Sequence, residues 1–136
     1  MYRNLLLAFA LSPAIALAQV NVPAGVESVT SGGYWTSGGV SGRYRIIVVN
    51  SGFEAVTSRL FVQWVREPVD AASESEVVAT VEPELPFGKD VASFSATLKP
   101  MAVGRVWVSV KGVVSRDPQT KVSAVLVAAE PGKVAP

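Results

Sequence analysis

The amino-acid sequence predicts an all-β fold: a single antiparallel β-sandwich of seven or eight strands behind a cleaved signal peptide. Three observations carry this. Short segments alternate apolar and polar residues with period two, and clusters of Gly, Pro, Asn, Asp and Ser separate them. No segment sustains the 3.6-residue period of an amphipathic helix. The chain also starts with a stretch composed like an export leader.

That leader is Met1–Ala18. Arg3 precedes an apolar run from Leu5 to Ala18 that only Ser12 and Pro13 interrupt. Ala16-Leu17-Ala18 fits the small-x-small rule, so cleavage is expected between Ala18 and Gln19. The run is too short for a membrane span, which needs about 20 apolar residues. No transmembrane segment is expected after cleavage. The domain is expected to be residues 19–136, one unit large enough to bury a core.

Gln19–Gly25 reads as an extended lead-in and Val26–Thr30 as a first edge strand. Ser31–Gly42, SGGYWTSGGVSG, reads as a turn region with Tyr34 and Trp35 on a short strand or exposed loop tip. The centre is a hairpin, Arg43–Asn50 and Arg59–Arg66. Alternation puts Tyr44, Ile46, Val48, Leu60, Val62 and Trp64 on the core face. Asn50, Ser51 and Gly52 supply the reversal between them.

Pro68–Ser75 reads as a loop. Glu76–Glu82 alternates with Val77, Ala79 and Val81 inward, and Pro83–Asp90 is a second loop. Val91–Lys99 points Ala92, Phe94, Ala96 and Leu98 one way. Gly104–Ser115 buries Val106, Val108 and Val110 and turns Arg105, Trp107, Ser109 and Lys111 outward, with Gly112 as a bulge. Asp117-Pro118 reads as a turn, Thr120–Ala129 as the closing strand and Glu130–Pro136 as a frayed tail. Trp64 on a central strand between two sheets resembles the architecture of immunoglobulin and fibronectin type III sandwiches. The Cys…Trp…Cys spacing of true immunoglobulin domains is absent.

The missing residue types narrow the chemistry. The chain has no Cys and no His. It therefore lacks a Ser-His-Asp triad, a cysteine nucleophile and the common zinc ligands. No phosphate-cradling glycine motif occurs. No cofactor and no metal are expected. Asp70, Glu74 and Glu76 gather near one loop, and Glu82, Glu84 and Asp90 near another. Neither set matches a calcium-loop spacing, and both read as solvated loop carboxylates. With Arg3 removed, eleven basic residues face eleven acidic ones. That balance argues against a nucleic-acid partner, whose phosphates call for a clear basic excess. A disulfide-free exported domain suggests the bacterial periplasm or cell exterior.

Candidate binding residues lie on the outward faces. Arg43, Arg45, Arg59 and Phe61 project from the hairpin. Trp107, Arg105 and Lys111 project from the later strand, and Tyr34 and Trp35 sit in the glycine-rich stretch. If the hairpin and the later strand are neighbours, these form one basic, aromatic patch of the kind enriched at interaction hot spots. The expected function is non-catalytic: an exported binding or assembly subunit that recognises a protein or a cell-envelope polymer through a sheet face or edge strand. The alternative is a carbohydrate-binding module using Tyr34, Trp35 and Trp107. A small carboxylate-dependent hydrolase is a third reading.

Overall fold

The computed structural model describes residues 20–102 and 104–136. The leader Met1–Ala18 and its cleavage point before Gln19 lie outside the described residues. Among those described there is no helix, and hence none long and apolar enough to cross a membrane.

Eight strands form two antiparallel four-stranded sheets. In spatial order the first holds β1 (Val26–Ser37), β2 (Val40–Ser51), β3 (Thr57–Arg66) and β4 (Glu76–Val81). The second holds β5 (Ala92–Pro100), β6 (Val106–Val114), β7 (Asp117–Ala128) and β8 (Val134–Ala135). Each sheet is a meander, every strand beside its sequence neighbours. Short connections favour that pairing. The immunoglobulin order differs, because there the chain switches repeatedly between sheets. Here the segment between β4 and β5 carries the chain from one sheet to the other. Beyond that crossing, β5 lies against β1, β2 and β3.

The hairpin is in register over its whole length, with Tyr44 opposite Trp64, Ile46 opposite Val62 and Val48 opposite Leu60. All six are buried, as their alternation predicts. They pack with Phe94, Val106, Val108, Val110, Leu126 and Ala128 of the second sheet in one core. Polar atoms join the sheets at both ends. Trp64 Nε1 donates to the Ala129 carbonyl at 2.9 Å. The Tyr44 hydroxyl lies 2.6 Å from the same carbonyl and 2.7 Å from that of Gly104, so its single proton serves one of them at a time. Burial raises the Tyr44 pKa above the ordinary tyrosine value. At the other end, the Ser58 hydroxyl accepts from Phe94 N–H at 3.0 Å and donates to Asn50 Oδ1 at 2.7 Å.

Several local expectations are corrected. The glycine-rich stretch is mostly strand: β1 runs on to Ser37 and only Gly38-Gly39 turns. Both have positive φ, 58° and 77°, which matches the right-handed twist of a two-residue hairpin loop. On β4, a register shift beside Val65 moves Val78 rather than Val77 onto the core, and Val77 pairs with Val65. Gly112 is not a bulge; it stays in the ladder between Phe94 and Val122. Asp117-Pro118 already belongs to β7, and the turn falls at Ser115-Arg116. The tail does not fray. Lys133 N–H closes a turn on the Glu130 carbonyl at 2.9 Å, and Val134–Ala135 pairs with β7 as an edge strand.

Candidate functional site

The residues picked out by the sequence fall on different surfaces. Arg43, Arg45, Arg59 and Phe61 lie on β2 and β3 of the first sheet, on the face away from the core. Trp107 and Lys111 lie on β6 of the second sheet, with Arg105 just before it. β6 has β5 and β7 as its neighbours, so the single patch expected of adjacent strands does not form. Trp35 is a correction: it is 1% exposed, part of the core, and its Nε1 donates to the Arg43 carbonyl at 3.0 Å. A register shift between Gly32 and Trp35 lets this edge-strand ring turn inward. Its neighbour Tyr34 remains exposed.

The outer face of the first sheet is internally satisfied. Phe61 is fully buried, a second correction, because it packs with Ile47 and Val49 in a small cluster that Val22 joins from the segment before β1. The Arg59 guanidinium stands 5.1 Å over its ring. That guanidinium also makes a two-pronged pair with Glu82, at 2.8 and 2.6 Å. Arg45 Nε donates to Gln63 Oε1 at 2.7 Å, and Gln63 Nε2 donates to Thr80 Oγ1 at 3.2 Å. Arg43 pairs with Glu67 at 2.7 Å. Every arginine of this face has a partner within the fold.

One pH effect follows from the Arg59–Glu82 pair. Hydrogen bonds from Arg59 hold the Glu82 carboxyl below the ordinary glutamate range. A carboxyl lowered in the folded state contributes stability above its unfolded pKa of about 4.3, and loses it as pH falls through the lowered value. Arg59→Gln is therefore expected to destabilise at pH 7 and to flatten the fall of melting temperature on acidification below about pH 4. Thermal melts of both proteins from pH 7 to pH 2 check this; parallel curves would show that the pair is not linked to stability.

The second sheet presents a different outer face. Its cross-strand rows are Lys99–Trp107–Val127, Thr97–Ser109–Val125, Ser95–Lys111–Ser123 and Ser93–Val113–Lys121. Alternation puts all of these opposite the buried set of Phe94, Val108, Val110, Ala124 and Leu126. The rows hold three lysines, one indole and several small hydroxyls, with no carboxylate. Trp107 is 40% exposed, the outward placement its alternation predicts. Lys99 Nζ lies 5.5 Å from the centre of its ring. Lys99 and Lys121 are not singled out by the sequence. Their own alternation turns them outward, but nothing within one segment says that β5 and β7 flank Trp107.

At the end of this sheet, Arg105 lines a depression of about 660 Å³ with Tyr34, Thr36, Gly104, Glu130 and Lys133. Glu130 and Lys133 pair with each other at 2.8 Å. A second depression, of about 440 Å³, lies beside the Arg59–Glu82 pair and is also lined by Glu84, Lys89 and Asp90. Among the described residues, no group of three or more acidic side chains is gathered to hold a metal ion. The outer face of the second sheet thus carries three lysines around one aromatic ring, and Tyr34 lies beyond it at the Arg105 end. Compared with models of protein families, with curated proteins and with solved structures, the chain gives no match.

Proposed function

We propose that this protein is a non-catalytic binding or assembly subunit, exported by its leader to the periplasm or cell exterior, that recognises another macromolecule through the outer face of the second sheet. The observation that supports it best is the contrast between the two outer faces. Cations on the first are matched by Glu67, Glu82 or Gln63. The rows of the second carry lysines with no carboxylate among them, around a ring that is 40% exposed. Among the described residues no carboxylate pairs with these lysines, and an outward indole beside them suits recognition, since tryptophan is enriched where binding energy concentrates.

The three-aromatic platform of a carbohydrate-binding module loses Trp35 to the core, although Tyr34 and Trp107 both stay accessible. The hydrolase reading needs a carboxylate pair flanking a cleft. In the depression beside β3, Glu82 is already occupied by Arg59.

Trp107→Ala tests the reading. Its cross-strand neighbours are Lys99 and Val127, and such pairs contribute roughly 0.2–1 kcal/mol each. The melting temperature should fall only slightly. Binding to the partner, captured from a cell-envelope extract, should weaken by about 2 kcal/mol or more. Full capture by the variant would move the site elsewhere. Export has its own check: amino-terminal sequencing of secreted material should begin at Gln19, and an intact Met1 on the exported protein would refute cleavage.

A further inference from the structure

Resting on that reading of the second sheet's outer face, we infer that the partner is an acidic polysaccharide, a chain of sugars bearing carboxylates, laid along β6. The central juxtaposition is Lys99 with Trp107. The ammonium stands 5.5 Å from the ring centre, and the ring is partly open to solvent. A pyranose places its C–H face on an indole, as an apolar body on an aromatic surface does. A uronic acid adds a carboxylate at the edge of that same ring. The flexible Lys99 arm can swing from the indole to that carboxylate and donate a charge-assisted hydrogen bond. One sugar unit would then use both groups.

The rest of the face adds further cations to this pair. Lys111 and Lys121 lie two and three rows beyond Trp107, and Arg105 and Tyr34 continue on its other side at the sheet's end. From the Trp107 row to the Lys121 row is six residues of β6, about 20 Å at strand rise. Neither depression described above lies on its rows. Charges spread over that length suit an extended polymer rather than a compact ligand.

An acidic protein fits less well. Lysine and serine are depleted at protein interfaces, where arginine and clustered aromatics take over. Here the rows are built of lysine, serine and threonine around a single ring. A nucleic acid would need a broader basic excess than the near-neutral balance of this chain provides.

Affinity chromatography of the full mature chain tests this, on columns carrying sodium alginate as the polyuronate, or dextran, poly-glutamate or duplex DNA as comparison polymers. Alginate should retard the protein and dextran should not. The retardation should decline at high salt, as exposed charge pairs do. Lys99→Ala combined with Lys111→Ala should weaken alginate binding about tenfold or more, and Trp107→Ala should weaken it to a similar extent. Melting curves confirm that the variants are folded. Should either variant fail to fold, Lys99→Gln and Trp107→Phe keep the side-chain bulk and carry the same test, with weakening again expected. Absence of retardation by alginate overturns the inference. So does equal retardation by poly-glutamate or DNA, or retardation that depends on the lysines and not on Trp107. If alginate fails while Trp107→Ala still abolishes capture from envelope extract, the polysaccharide assignment falls and the binding face stands. If Trp107→Ala changes neither, both fall.

Discussion

Replacing Trp64 by alanine is expected to lower the unfolding free energy by about 3–5 kcal/mol, the usual cost of emptying a large aromatic site in a core. Trp64 is fully buried in the middle of the first sheet, opposite Tyr44 on β2 and Ala79 on β4. Its ring centre lies 5.9 Å from that of Tyr44, and its N–H is spent on the Ala129 carbonyl. Truncation therefore opens a cavity and removes one of the bonds that join the sheets. A domain of this size has only about 5–15 kcal/mol in total, so the loss is a large part of it. Denaturant unfolding should show a lower midpoint with an unchanged slope. Trp64→Phe separates the two contributions. It keeps most of the apolar volume and loses the N–H, a hydrogen bond whose net value is about 1 kcal/mol. An unchanged midpoint for Trp64→Ala would remove the tryptophan from the core.

Gly112→Ala should be nearly as costly, although it adds only one carbon. A Cβ there would lie 2.0 Å from the Ser93 carbonyl oxygen and 2.6 Å from Phe94 Cα. Both are backbone atoms of β5, so no side chain can rotate out of the way. The β5–β6 ladder must open locally, or Phe94 must leave the core. Overpacking costs about 1–3 kcal/mol where side chains can adjust, and this site belongs at or above the upper end. Gly38→Ala is the control. It meets nothing nearby, and its φ of 58° costs about 1–2 kcal/mol in left-handed strain alone. Equal midpoints for the two variants would show that close approach of the strands is not what requires glycine at 112.

The face of each strand was legible in the sequence because side chains alternate along every strand whatever lies beside it. That rule placed Tyr44, Ile46, Val48, Leu60, Val62 and Trp64 inside and Trp107 outside. It was blind wherever the period slips. The register shift at Gly32 and Trp35 turned an apparent loop aromatic into a core ring, and the shift beside Val65 exchanged Val77 for Val78. It was also blind to what lies above an outward residue. Phe61 obeys the alternation and is still buried, because Ile47, Val49 and Val22 surround it.

Strand type and the absence of histidine and cysteine from the chain were therefore determined by the sequence alone, since each depends on local period or composition, whereas the edge strand Val134–Ala135 was not. Neighbourhood was decided only by the tertiary structure. Two separate meanders put the hairpin arginines on one sheet, where Glu67, Glu82 and Gln63 match them, and Trp107 on the other. The same pairing set Lys99 over the indole and Lys111 and Lys121 on the rows beyond it. Charges on different strands meet only when those strands are hydrogen-bonded side by side. That order is a long-range property of the whole packed chain, and no single segment encodes it.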